Sequence, residues 1–244
     1  MSFLTLTNVR LFAVGADLTG ASNKVELSAE VEEKDRTTYG SNGWKEVMGG
    51  LGSAQVTGEG FWEAGSSALV DDANWANNGG TGPWSVGPVG GAVGDLAYFV
   101  KALQSEYKFL GQVGDIAPWS GKASSTWPLV RGAFGHHYGT ARTSTGTATG
   151  VQLGAADVDE RLYASLHVLS VAGTTPTLNV EIESDTDNTF ASSLTQLTFT
   201  QANAISGQIL RTDGTAITDT WYRVKYTISG TNPSFLFAVA FGIK

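Results

Sequence analysis

Strict period-two alternation constrains this chain more than any other feature. Residues 24–32 read KVELSAEVE, with Val25, Leu27, Ala29 and Val31 on one side and Lys24, Glu26, Ser28, Glu30 and Glu32 on the other. Successive side chains alternate across a strand but not around a helix, so this segment is a strand with one dry and one wet face. The period returns at 53–61, SAQVTGEGF, where Ala54 and Val56 oppose Gln55, Thr57 and Glu59. Gly58 and Gly60 continue the dry face without side chains, so another backbone can approach there.

The last third repeats the pattern. Leu162, Ala164, Leu166 and Val168 share a face, as do Leu178, Val180 and Ile182, and Tyr222, Val224, Tyr226 and Ile228. Residues 235–243, FLFAVAFGI, are apolar on both faces and predict a central, buried strand. Turn signals at 212–214 (TDG) and 229–234 (SGTNPS) separate the runs, which together predict a β-sandwich-like region.

Between these regions the pattern changes. Residues 33–52 carry Tyr39, Trp44, Val47, Met48 and Leu51 among charges, and predict a long hairpin loop that orders on a partner. Residues 65–94 read as an irregular connection. Residues 95–107, DLAYFVKALQSEY, predict the one α-helix, with Asp95 as N-cap and a stripe of Leu96, Phe99, Val100, Leu103 and Tyr107. Residues 108–138 return to strand character. The small polar stretch 139–150 is a linker or a polar edge strand, dividing a domain at 1–138 from one at 151–244, unless the later strands are woven into the same barrel.

Composition narrows the chemistry. The 244 residues include no cysteine, which excludes disulfides, zinc–thiolate sites and a cysteine nucleophile. The net charge of −8 lacks the basic surface that gripping nucleic acid requires. The N-terminus has no basic, apolar leader, and no apolar run approaches the ~18 residues of a membrane span. His136 and His137 are adjacent and would point to opposite faces of a strand, while His167 falls on the polar face of another. Asp185-Thr186-Asp187-Asn188 lacks the glycine and terminal glutamate of a calcium loop and reads as an Asx turn. Asp157–Glu160 reads as a solvated turn. No phosphate-binding loop or nucleophile elbow is present. No catalytic, cofactor or metal site is therefore expected. Trp62, Trp75, Trp84, Trp119 and Trp127 read first as core anchors; exposed, they would suit a carbohydrate-binding or adhesin-like module, the alternative function.

The order of elements in residues 1–138 resembles the major tail-tube protein of long-tailed bacteriophages. The segment VELSAEVEEKDRTTYGSNGWKEVMGGLGSAQVTGEGFWEAG carries the likeness: an EVE-like strand, a long loop, and a second strand ending in a GEG-like stretch. The segments GDLAYFVKALQSEY and PLVRGAF follow in the family's order. The resemblance implies a mainly β fold and hexameric rings stacked into a hollow tube in the virion tail, assembled in a bacterial cytoplasm. Two hairpins per subunit would line the lumen, which would hold the tape-measure protein and then double-stranded DNA without tight binding. Tail terminator and distal tail or baseplate proteins would be its other partners. Strand alternation then makes Glu26, Ser28, Glu30, Gln55, Thr57 and Glu59 lumen-facing, and the loop's Tyr39, Trp44, Val47, Met48 and Leu51 the contact to the next ring.

Overall fold

The computed structural model describes residues 5–65 and 69–244. Strands β1 (Arg10–Ala13) and β2 (Ala16–Asp17) form a tight hairpin, followed by a long one made of β3 (Ser22–Asp35) and β4 (Val47–Phe61). Helix α1 (Val70–Asn77) leads to β5 (Thr81–Gly87), β6 (Leu96–Phe109), β7 (Pro118–Ser125) and β8 (Val130–His136). Two short strands, β9 (Gly146–Thr147) and β10 (Val151–Gln152), precede β11 (Leu162–Asp185), β12 (Leu194–Thr198), β13 (Ser206–Arg211) and β14 (Trp221–Ile243). The protein is mainly β, with one short helix and a large antiparallel sheet.

The alternation at 24–32 and 53–61 sets the register of the long hairpin: Leu27 faces Val56, Glu26 faces Thr57 and Ser28 faces Gln55. Pairing runs on to Asp35 and Val47, so the connection is much shorter than the loop expected over 33–52. Hydrogen bonds within the chain brace it. Asp35 accepts the Thr37 N–H at 2.8 Å, and Thr38 and Ser41 form a reciprocal capping box across a 3-10 turn at Tyr39–Ser41. Asn42 and Gly43 take positive φ to reverse the chain.

The helix expected over 95–107 is instead strand β6. Its sheet is covered on both faces: Ala97 and Phe99 enter one core, Val100 and Ala102 another. Apolar residues required on both faces fall at neighbouring positions and imitate a helical stripe. Leu103 is exposed and Asp95 caps a turn, accepting the Ala92 N–H at 2.8 Å. Among the described residues the one α-helix lies at Val70–Asn77, inside the stretch read as irregular, where β5 also sits. Only Val70 and Ala73 among its apolar side chains are buried, too few for a visible periodicity.

Strands β11 and β14 pair along nearly their whole lengths, from Leu162↔Ile243 to Asp185↔Trp221. Register shifts near Ala172–Thr177, with positive φ at Gly173 and Gly230, fold the pair back on itself. Its two halves thereby enclose one core: Leu162–Val168 and Phe235–Phe241 alternate toward Leu178–Ile182 and Tyr222–Ile228. Each fully buried Phe or Leu contributes roughly 1.5–3 kcal/mol. β14 is central, flanked by β11 and β8, as its two apolar faces predicted. Its junction with β8 is close-packed: a Cβ on Gly132 would lie 2.0 Å from the Phe241 carbonyl oxygen. Segment 139–150 contributes β9 to the edge of β14.

Candidate assembly surface

Two hairpins, β3–β4 and β6–β7, join through the β4–β7 pair into a four-stranded sheet ordered β3-β4-β7-β6. Phe61 opposes Pro118 and Gln55 opposes Ser124, so the two hairpin tips point to opposite ends of the sheet.

The dry face of this sheet is covered by the chain itself. Val56, Trp119, Ala123, Val100 and Ala102 pack under β1, β2, β5 and α1. The glycines at the end of β4 admit this layer. A Cβ on Gly60 would stand 1.8 Å from the Ala21 carbonyl oxygen, which also accepts a hydrogen bond from Trp119 Nε1 at 3.0 Å. Gly58 lies directly beneath the Trp119 ring. Polar groups fix α1: Gln104 Nε2 donates to Asn74 Oδ1 at 2.9 Å, and the Tyr107 hydroxyl donates to Asp71 at 2.7 Å. Burial and that hydrogen bond push the Tyr107 phenol well above its ordinary range.

The opposite face is polar and solvent-accessible, in cross-strand rows. Lys24, Glu59, Ser120 and Lys108 form one row; Glu26, Thr57, Lys122 and Glu106 form the next; Ser28, Gln55, Ser124 and the apolar Leu103 lie beyond it, followed by Glu30 and Ser53. The six residues predicted to share one polar face therefore do so. Lys24 bridges Glu59 at 3.3 Å and Glu26 at 3.5 Å, and the hydrogen bond to Glu59, with both charges, raises its pKa above the usual lysine value. Lys108 pairs with Glu106 at 2.9 Å. Taking 95–107 for a helix hid Glu106, Lys108 and Lys122 from the sequence reading. Over these rows the face carries four carboxylates against three ammonium groups, a much weaker negative field than the first hairpin alone suggests. The second hairpin's own period-two signal, Gly121, Ala123 and Trp119 inward against Ser120, Lys122 and Ser124, was the available clue.

The five residues predicted as an inter-ring contact are all exposed. Tyr39 and Trp44 lie in the connection, while Val47, Met48 and Leu51 belong to β4. Glu30, Val31, Gly52 and Ser53 still border a cleft against Trp127, Pro128 and Leu129, and the hairpin beyond Val31 and Gly52 projects roughly 13 Å further at about 3.3 Å per residue. The outer edge of β3 has no strand partner among the described residues, and β6 loses its outer partner past Gln104.

The remaining candidates are structural. His167 is buried rather than on a wet face, because the first half of β11 is covered on both sides. Its Nδ1 accepts the Gly15 N–H at 3.4 Å, so Nε2 carries the proton toward Ser85 Oγ at 2.8 Å. His136 stacks on Phe237 at 3.9 Å and donates from Nδ1 to the Phe237 carbonyl. Burial lowers their pKa values to about 4 for His136 and about 3 for His167. Asp187 accepts the Thr189 N–H at 2.7 Å, as an Asx turn requires, and Asp185 accepts the backbone N–H groups of Ser192 and Thr186. Among the described residues no cluster of His, Asp and Glu is arranged to hold a metal ion. Trp84 and Trp119 are core residues, Trp62 and Trp127 half-buried, and Trp75 exposed on α1, far from Trp44. They form no shared stacking platform.

No known protein family and no curated protein matches the chain. Among solved structures it is similar to a chain from the virion of a native gene transfer agent particle, at 17% identity and a TM-score of 0.43, covering 54% of this chain and 100% of the other. A chain from the tail of an empty gene transfer agent particle, refined with C6 symmetry, gives 19% identity, a TM-score of 0.39, and coverage of 50% and 92%. The SPP1 Dit protein, described as a hub of the adsorption apparatus of phages infecting Gram-positive hosts, gives 10% and 0.34, covering 97% and 99%. Scores of this size do not establish a shared fold.

Proposed function

We propose that this chain is a structural, non-catalytic subunit of a phage-like tail, and specifically of the tail tube. In that reading hexameric rings stack into a conduit for the genome. The observation that carries it is the four-stranded sheet, with one face sealed by the subunit's own core and the other polar. A sheet of this kind with long unpaired edges is an assembly template unless it is covered. Closing β3 of one copy against the free stretch of β6 in the next removes both edges and leaves the polar face around a water-filled channel. Glu26, Ser28, Glu30, Gln55, Thr57 and Glu59 then line the lumen. The projecting hairpin, with Tyr39, Trp44, Val47, Met48 and Leu51, reaches the adjacent ring.

Electron microscopy of the purified protein tests this. Six-fold rings or tubes are expected from the parent chain, and Trp44→Ala with Met48→Ser should give folded protein that no longer stacks. A parent that stays a monodisperse monomer at high concentration would refute the reading. Full-length tubes from the double variant would remove the hairpin from the ring-to-ring contact.

A further inference from the structure

Residues 142–153 run as a strap along one edge of β14, whose other edge is held by β11. Arg142 and Phe235 exchange backbone hydrogen bonds at 2.7 and 2.9 Å, and the Ala148 N–H donates to the Val224 carbonyl at 2.8 Å. The Ile228 N–H donates to Thr145 Oγ1 at 3.0 Å. Without the strap this stretch of β14 would be an open edge that another strand could pair with. The grip is light at the front: residues 142–147 read RTSTGT, with no apolar side chain, and only Ala148, Val151 and Leu153 pack on the core behind them.

Arg142 is also anchored by its side chain. Its Nε–H donates to His136 Nε2 at 3.2 Å. The ring can accept there only because its proton sits on Nδ1, which donates to the Phe237 carbonyl at 3.0 Å. His136 is 1% exposed, stacked on Phe237 and edge-on to Tyr226 with centroids 5.3 Å apart. The titratable or charged groups facing it are Arg142 from the strap, Tyr226 from β14 and the neighbouring His137; no carboxylate acts on it among the described residues.

We infer that His136 and Arg142 form a pH-operated latch: the neutral ring holds the strap over the edge of β14, and a proton on Nε2 releases it. Protonation replaces the accepting lone pair with an N–H aimed at another N–H, and sets two cations side by side with no carboxylate to offset them. Opening wets the ring, so the open strap binds the proton more tightly. The latch is therefore at full strength above about pH 6.5 and weakens as pH falls. With the latched ring titrating at about 4 and the open one near 6.5, the opening equilibrium should rise about twentyfold from pH 7 to pH 5. Release bares the backbone groups of Val224, Ile228 and Phe235 that the strap covers. The latch needs no assembly and stands apart from the tail-tube reading.

Amide hydrogen exchange on the whole chain tests it, read as protection relative to the intrinsic rate at each pH. The Arg142 and Ala148 amides should lose about twentyfold in protection from pH 7 to pH 5. They should stay less protected than amides in the middle of β11, which marks opening of the strap rather than unfolding of the chain. His136→Gln keeps a neutral donor and acceptor but cannot titrate, and its strap should be equally protected at both pH values. Arg142→Met alters a partly exposed side chain and should loosen the strap already at pH 7. Parent protection that ignores pH, or an equal fall in His136→Gln, would overturn the latch. So would an Arg142→Met strap as protected as the parent's, a result that decides the matter even if His136→Gln does not fold.

Discussion

If the polar face lines the proposed lumen, reversing its charge should turn the channel into a DNA-binding one. Glu26→Lys, Glu30→Lys and Glu59→Lys change a face of four carboxylates and three ammonium groups into one with a single carboxylate, Glu106, and six ammonium groups. The fold should tolerate this. The Glu26 and Glu59 side chains are 65% and 40% exposed, and Glu30 belongs to no ion pair among the described residues. Each lysine that neutralises a phosphate adds about 0.9 to the slope of log K against log salt. If one lysine from each of six subunits reaches a phosphate, the slope is about −5, and affinity falls roughly a thousandfold between 50 and 200 mM salt. The assay assembles tubes, adds short duplex DNA, and measures co-sedimentation across that range. Parent tubes should retain little at any salt, and variant tubes should retain DNA at 50 mM and release it by 200 mM. Assembled variant tubes that bind no DNA at 50 mM would refute the placement of these residues on the lumen wall.

Two further outcomes test the fold that supports the surface. Gly60→Ala drives a Cβ against the Ala21 carbonyl oxygen, 1.8 Å away before relaxation; overpacking of this kind should cost about 1–3 kcal/mol in urea unfolding, and a loss under half of that would mean β4 does not pack closely on the backbone at Ala21. The two buried histidines should make stability pH-dependent: their folded pKa values, about 4 and about 3, lie below the ordinary 6.5, so the unfolded chain takes up protons first and stability falls as pH drops below 6.5. The loss should be on the order of 3 kcal/mol or more for each by the time its folded pKa is reached, and a urea midpoint that stays flat from pH 7 to 4 would show the histidines are not buried as neutral rings.

The sequence by itself determined the strands that are dry on one side and wet on the other. Period-two alternation specified β3 and β4, their shared polar face, and the inward sets of β11 and β14, because a one-residue slip in register would turn every buried group outward. It also located Gly58 and Gly60 as places of close approach. Where both faces of a strand are buried the alternation disappears, and β6 consequently read as a helix. Helix α1 buries too little apolar surface to announce itself. Tertiary structure alone decided that Glu106, Lys108 and Lys122 share a face with Glu26 and Glu59, since that depends on β7 pairing with β4 rather than on local pattern. It alone folded β11 and β14 back over their own core. It alone set the two hairpin tips at opposite ends of one sheet, because strand order and direction are properties of long-range pairing, and no local period in the chain encodes them.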